Sequence, residues 1–218
     1  MSSSPLRVVV VISGNGSNLQ ALIDYQQQPD CAYQIVKVIS NRPNAFGLQR
    51  AQQHDIATAV VDHTEFNERE TFEQALIQHI DSAKPGLVVL AGFMRILTPL
   101  FTGHYLGRMF NIHPSLLPKF PGLNTHQRAL DAHEHEHGLS IHFVTAELDG
   151  GPIVLQARVK IHPNDNVETL QHKVHQQEHL AYPIAVNLFA QQKLHFANQQ
   201  ACYLGQPLLQ PLQLEELV

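Results

Sequence analysis

The sequence predicts an α/β chain: a Rossmann-like, doubly wound, mostly parallel sheet with helices on both faces. Three observations carry that prediction. Apolar β-branched runs alternate with stretches of helical spacing through the first hundred residues. Those runs are apolar almost throughout, as strands buried on both faces are, rather than alternating with polar residues. A glycine-rich loop joins the first run to the first helix, the place where such sheets hold phosphate.

The elements follow in order. Residues 6–13, Leu-Arg-Val-Val-Val-Val-Ile-Ser, read as a buried strand. The loop Ser-Gly-Asn-Gly-Ser-Asn of residues 13–18 ends it, and residues 19–25 have helical apolar spacing. Residues 35–40 form a second strand stopped by Asn41-Arg42-Pro43, residues 45–54 a short helix and residues 57–61 a third strand. Residues 65–83 read as an amphipathic helix with Phe66, Phe72, Leu76 and Ile80 near one face, and residues 87–91 as a fourth strand. Residues 109–113 form a strand that ends at Pro114, before a Pro- and Gly-rich loop to Gly122. Residues 125–133 read as a helix, residues 139–144 and 153–161 as strands around the turn Leu148-Asp149-Gly150-Gly151-Pro152. Residues 167–190 form one long helix with Pro183 as a candidate break, and residues 194–196 an edge strand. The Pro-, Leu- and Gln-rich tail from Gly205 is expected to pack loosely or not at all.

Composition narrows the class. The 218 residues are 44% hydrophobic and 15% charged, which excludes a mostly disordered chain. No apolar run approaches the ~20 residues of a membrane span, and the Met-Ser-Ser-Ser-Pro start lacks signal-peptide features. A net charge of −5 is a poor footprint for nucleic acid, and two cysteines suit a reducing cytoplasm rather than a disulfide framework. A soluble, cytoplasmic, globular protein without nucleic-acid or membrane partners is expected. The 15 histidines outnumber the 14 lysines and arginines, and the run over residues 171–179 reads as a solvated helical face. Their titration would make association pH-dependent, so the state is left as monomer or homodimer.

Three segments carry chemistry. The loop at 13–18 offers close backbone approach and unpaired helix N–H groups, which suits phosphate, or else it is only a tight turn. It lacks a Walker lysine, a third glycine and an acidic residue after the second strand, where Arg42 stands instead. Asn111 and His113 sit at i and i+2 of one strand, so the amide donor and the titratable ring face the same side. The alternative is a buried, hydrogen-bonded pair at a strand end. Asp149 alone reads as a turn residue; near His113 it would orient the ring. His133-Glu134-His135-Glu136-His137 satisfies the zinc signature H-E-x-x-H, but Gly138 follows at once, so the run is a helix end and no metal is expected.

Taken in order, Ser-Gly-Asn-Gly-Ser-Asn-Leu-Gln at 13–20, Ala-Gly-Phe-Met-Arg-Ile-Leu at 91–97, Asn-Ile-His-Pro-Ser-Leu-Leu-Pro at 111–118 and Leu-Asp-Gly-Gly-Pro at 148–152 resemble the phosphoribosylglycinamide formyltransferase family. The resemblance runs from about Arg7 to His195. It implies a single domain over residues 1–218, with a phosphate-binding half (6–106), a catalytic and folate-binding half (107–196) and a tail (205–218). The implied reaction moves the formyl group of 10-formyltetrahydrofolate to the amine of N1-(5-phosphoribosyl)glycinamide, in purine biosynthesis, with the folate as co-substrate and no metal. Asn111, His113 and Asp149 would be the catalytic triad, and Asn15, Gly16, Ser17 and Asn18 the phosphate site. Glu178 would hold the ribose; Arg69, Arg95, Ile96, Leu97, His142, Val144 and Thr145 would border the folate, and Lys119 would assist the phosphate. Asn124 and His175 depart from the family, which often has His and Gln there. A deformylase of the same superfamily would carry an added N-terminal domain, for which a first strand at Leu6 leaves no room. A methionyl-tRNA formyltransferase would need a basic C-terminal domain, and a plain nucleotide-binding module would leave the triad without a shared purpose.

Overall fold

The structure is a computed structural model that describes residues 4–218; residues 1–3, part of the stretch read for a signal peptide, lie outside the described residues. The chain divides into two compact units, one ending at Asn111 and the other running Ile112–Val218.

The first unit contains β1 (Leu6–Ile12), α1 (Ser17–Tyr25), β2 (Tyr33–Ser40), α2 (Phe46–Gln53), β3 (Thr58–Val60), α3 (Arg69–Asp81), β4 (Leu87–Leu90), α4 (Pro99–His104) and the start of β5 (Met109–His113). Its strands lie in the order β3-β2-β1-β4-β5 and every neighbouring pair is parallel. The order reverses at β1, with β2 and β3 to one side and β4 and β5 to the other. Right-handed crossovers then place α1 and α2 on one face and α3 and α4 on the other; α1 does pack on α2, and α3 on α4. Val8 to Ile12 are fully buried, as the apolar run requires. Each such side chain is worth about 1.5–3 kcal/mol against exposure. Where the order reverses, the carboxyl ends of β1 and β4 open the crevice in which such sheets bind ligands.

Two local expectations change. The helix predicted over 65–83 starts only at Arg69, because the Asp62 side chain accepts from the Thr64 N–H and turns residues His63–Glu65 into a 3-10 segment. Phe66 therefore precedes the helix and packs edge-on against Phe72. α4 was not anticipated: six residues show no periodicity, and only the Thr98 cap and Pro99 mark its start.

The second unit contains the end of β5, α5 (Thr125–Asp131), β6 (Glu136–Phe143), β7 (Ile153–Lys160), α6 (Val167–Ala190), β8 (Leu194–Ala197), β9 (Gln200–Tyr203), β10 (Gln206–Pro207) and β11 (Leu212–Gln213). β6 and β7 form an antiparallel pair whose register shifts between Ile141 and His142. α6 packs on both of them and on α5. It opens with a reciprocal cap between Asn166 and Thr169 and runs on through the buried Pro183 without a break. The tail is a correction. β8, β9 and β10 form a small antiparallel sheet, and β11 adds to β7 in parallel through Leu212 and Gln213. Leu214 is buried, although Leu209 stays outside. Two-residue strands leave no period in the sequence; the edge of β7 decides them. Among the described residues no helix is long and apolar enough to cross a membrane.

Candidate active site

The glycine loop starts from the carboxyl end of β1. Gly16 caps α1 in the left-handed conformation, φ 76°, and no side chain closes the helix start. A helix start without a side-chain cap is the kind of place where an anion is held. The loop holds its shape by packing. A Cβ on Gly16 would lie 2.7 Å from the Gly47 Cα, so the glycine is required by the approach of α2 as well as by its own φ. Arg50, also on α2, donates from Nε to the Asn15 carbonyl (2.9 Å) and from a terminal nitrogen to the Asn15 side chain (3.1 Å). Sequence reasoning found Asn15, Gly16, Ser17 and Asn18 but missed Gly47 and Arg50. Nothing in their spacing ties α2 to the loop.

A second segment of this unit is pinned at both ends. Ser13, buried, donates its hydroxyl to Asn41 Oδ1 (2.6 Å) and accepts the Met94 N–H (2.8 Å). Four residues on, the carboxylate of Glu73, also buried, accepts the Thr98 N–H (2.9 Å) and the Thr98 hydroxyl. Arg95, Ile96 and Leu97 arch between these anchors. The Arg95 guanidinium lies 5.8 Å over the Phe72 ring, while Met94 and Ile96 turn outward, 64% and 59% exposed. An apolar surface held by its backbone suits a flat heterocycle. Arg69 stands exposed at the start of α3. Ser13 and Glu73 are anchors that the sequence did not single out.

In the second unit, the His113 side chain is buried, and its Nε2 lies 2.9 Å from the Phe120 carbonyl. Its Nδ1 is 3.4 Å from Asp149 Oδ2. Asp149 arrives from the β6–β7 turn in the left-handed region, φ 51°, which aspartate tolerates better than most residues. Its Oδ2 accepts the Gly122 N–H at 2.9 Å, which ties the turn to the loop after β5. Asp149 Oδ1 lies 3.8 Å from His142 Nε2. Burial pushes the His142 ring below the ordinary histidine value, so it faces Asp149 uncharged at neutral pH. The register shift in β6 falls at His142 and re-aims it, as bulges do. Thus His113, His142 and Asp149 meet, with Val144 and Thr145 between the last two along the chain. Asn111 stands two residues before His113 on β5, level with Leu90 of β4. Glu178 is buried on α6, and its charge reaches Tyr182 one turn on.

The remaining histidines are placed by packing. His126 Nδ1 lies 3.1 Å from His137 Nε2, and the His137 ring also bonds the Pro114 backbone. Burial, reinforced by neighbouring histidines, pushes both down to about 4. His133 lies in a left-handed turn and His137 on β6, so the H-E-x-x-H run presents no helix face. Glu134 of that run and Lys119 form an ion pair at 2.8 Å. Along α6, His172 is solvated as expected, but His175 and His179 are half-buried and stacked. Asn124 takes the left-handed cap of α5 at φ 55°, a conformation that asparagine accepts readily.

Comparison with known proteins gives the family. A family model described as formyl transferase matches residues 6–186. The phosphoribosylglycinamide formyltransferase of Escherichia coli (strain K12) is 49% identical over 203 residues, covering 93% of this chain and 96% of that protein. That of Haemophilus influenzae is 43% identical, over 93% and 95%. A solved phosphoribosylglycinamide formyltransferase from Coxiella burnetii superposes with a TM-score of 0.92 at 52% identity, covering 96% of this chain and 99% of that one. On the family match, the identities and the shared fold, this chain belongs to the formyl transferase family.

Proposed function

We propose that this chain carries the activity for which these relatives are named, formyl transfer to phosphoribosylglycinamide, and that the donor is 10-formyltetrahydrofolate. The observation that carries the reading is the His113–Asp149 pair, closed by Gly122 and set two residues beyond Asn111 on one strand. The product would be formylglycinamide ribonucleotide, in purine biosynthesis, and the setting cytoplasmic.

The residues divide the work. The N–H groups of Gly16, Ser17 and Asn18 hold the substrate phosphate, with Asn15 braced by Arg50. Glu178 accepts from the ribose hydroxyls. The arch of Arg95, Ile96 and Leu97 holds the pterin through its backbone, the turn of His142, Val144 and Thr145 borders it, and Arg69 meets its acidic tail. The substrate amine attacks the formyl carbon, and negative charge develops on the formyl oxygen. Asn111 donates its amide to that oxygen. In His113, Nε2 is already committed to the Phe120 carbonyl, so the second donor is Nδ1, held only loosely at 3.4 Å by Asp149. Nδ1 carries a hydrogen alongside Nε2–H only in the protonated ring. The attacking nitrogen becomes cationic and gives up a proton to Asp149, directly or through water, and the leaving N10 gains one.

The test is deformylation of a 10-formyl folate, followed optically with and without glycinamide ribonucleotide. Fast turnover only with the ribonucleotide supports the transferase. Equal turnover without it makes water the acceptor, and no turnover by folded protein removes the triad.

A further inference from the structure

We propose that the cleft over the carboxyl ends of β2 and β3 is a second ligand site, shaped for a nucleoside monophosphate. The cleft belongs wholly to the first unit, holds about 650 Å³ and is lined by Gly14, Asn15, Arg42, Phe46, Asp62 and His63 among others. That volume falls within the range of small-molecule sites.

It meets the substrate path at Asn15 of the glycine loop and from there extends to the other side. In the strand order β3-β2-β1-β4-β5, the glycine loop leaves β1, and Asn111 lies at the end of β5. A substrate with its phosphate on residues 15–18 and its amine toward Asn111 runs away from β2 and β3. The inference rests on the proposed function for this direction only. In doubly wound sheets the region over β2 is where the nucleoside half of a dinucleotide lies. With the glycine loop taken by substrate, a mononucleotide is the ligand that fits.

The lining supplies each part. Arg42 follows the end of β2, and its exposed guanidinium has no hydrogen bond or ion pair among the described residues, so it can meet a phosphate. Phe46 is 45% exposed, with the Arg50 guanidinium 4.9 Å from its ring centre, and beside Pro43 it offers an apolar surface to a base. Asp62 accepts both Thr64 bonds at Oδ1, which leaves Oδ2 for a ribose hydroxyl. His63 Nδ1 is held by Asn41, 2.8 Å from its carbonyl and 3.2 Å from its side-chain nitrogen, which leaves Nε2 for a ligand. Gly14 is the independent sign. A Cβ there would meet nothing within 4 Å, and its φ is not left-handed, so neither packing nor conformation demands a glycine. A side chain at that position would instead take room from the cleft.

Adenosine 5′-monophosphate is the probe, titrated by calorimetry into the full chain with and without saturating glycinamide ribonucleotide. Saturable binding is expected, unchanged by the ribonucleotide and weakened about tenfold or more in Arg42→Ala and in Phe46→Leu, a loss of about 1.4 kcal/mol or more. Both variants should keep transferase turnover, which also shows that they are folded. No saturation by about 10 mM, or equal affinity in both variants, overturns the site. Displacement by the ribonucleotide overturns it too, since the probe would then occupy the glycine loop. Failure of the proposed function reads out separately, as absent formyl transfer.

Discussion

The glycine loop and the β6–β7 turn do opposite things with their side chains. At the loop the groups offered to a ligand are backbone N–H donors, and the residues around them, Gly16, Gly47 and Arg50, act by controlling where the backbone lies. At the turn the backbone only delivers a carboxylate, and in the proposed function the chemistry belongs to the Asp149 and His113 side chains. A binding loop of the first kind should fail when its shape is disturbed. A catalytic pair of the second kind should fail when its atoms are changed at constant shape.

The largest effect expected is on the pair. His113→Ala or Asn111→Ala should lower turnover at least ~100-fold, the scale of a lost oxyanion donor, while circular dichroism shows the fold retained. Near-parental turnover in either would remove that residue from the mechanism. Gly16→Ala should do the reverse. The new Cβ meets the Gly47 Cα at 2.7 Å with φ at 76°, so melting should reveal a loss of about 1–3 kcal/mol. Substrate KM should rise more than kcat falls; an unaltered KM would show that this backbone does not hold the phosphate.

Ser13 lies between the two kinds. Ser13→Ala deprives the half-buried Met94 N–H of its acceptor, which costs about 1 kcal/mol. With the arch over residues 95–97 released, the KM for folate should rise several-fold with kcat little changed. Equal loss in both constants would make Ser13 a stability residue only.

The smallest effect concerns pH. His126 and His137 are held down at about 4 by burial, against ~6.5 for a free ring. Between those values the unfolded chain binds protons that the folded chain does not, so stability falls as pH drops from ~6.5 toward 4. Thermal midpoints across that window should fall by about 5 °C or more. His126→Gln, which keeps a donor for His137 Nε2, should flatten the slope; an unchanged slope would assign the acid sensitivity elsewhere.

The strands and the long helix were legible because their signals are local and repeated. Five fully buried residues in β1 and the capped, amphipathic α6 announce themselves over many residues. The loop at residues 13–18 was legible for a related reason: two glycines between a strand and a helix leave few conformations. Asn111 and His113 could be paired because strand geometry alone puts i and i+2 on one side. Motif resemblance, rather than spacing, joined Asp149 to them.

By itself, then, the sequence determined which segments are strand or helix in the buried sheet, where the glycine-rich turn falls, and which strand end bears an amide and an imidazole. Tertiary structure alone decided the rest. It set Asp149 against His113 and Gly122, raised Ser13 and Glu73 into anchors for the arch, and closed Gly47 and Arg50 onto the loop. It also docked the tail on the edge of β7, against the expectation of a loose end. The physical reason is range. Backbone preference and burial period act between neighbours in the chain, whereas a hydrogen bond between residues 27 or 81 positions apart exists only once the sheet has brought its partners together.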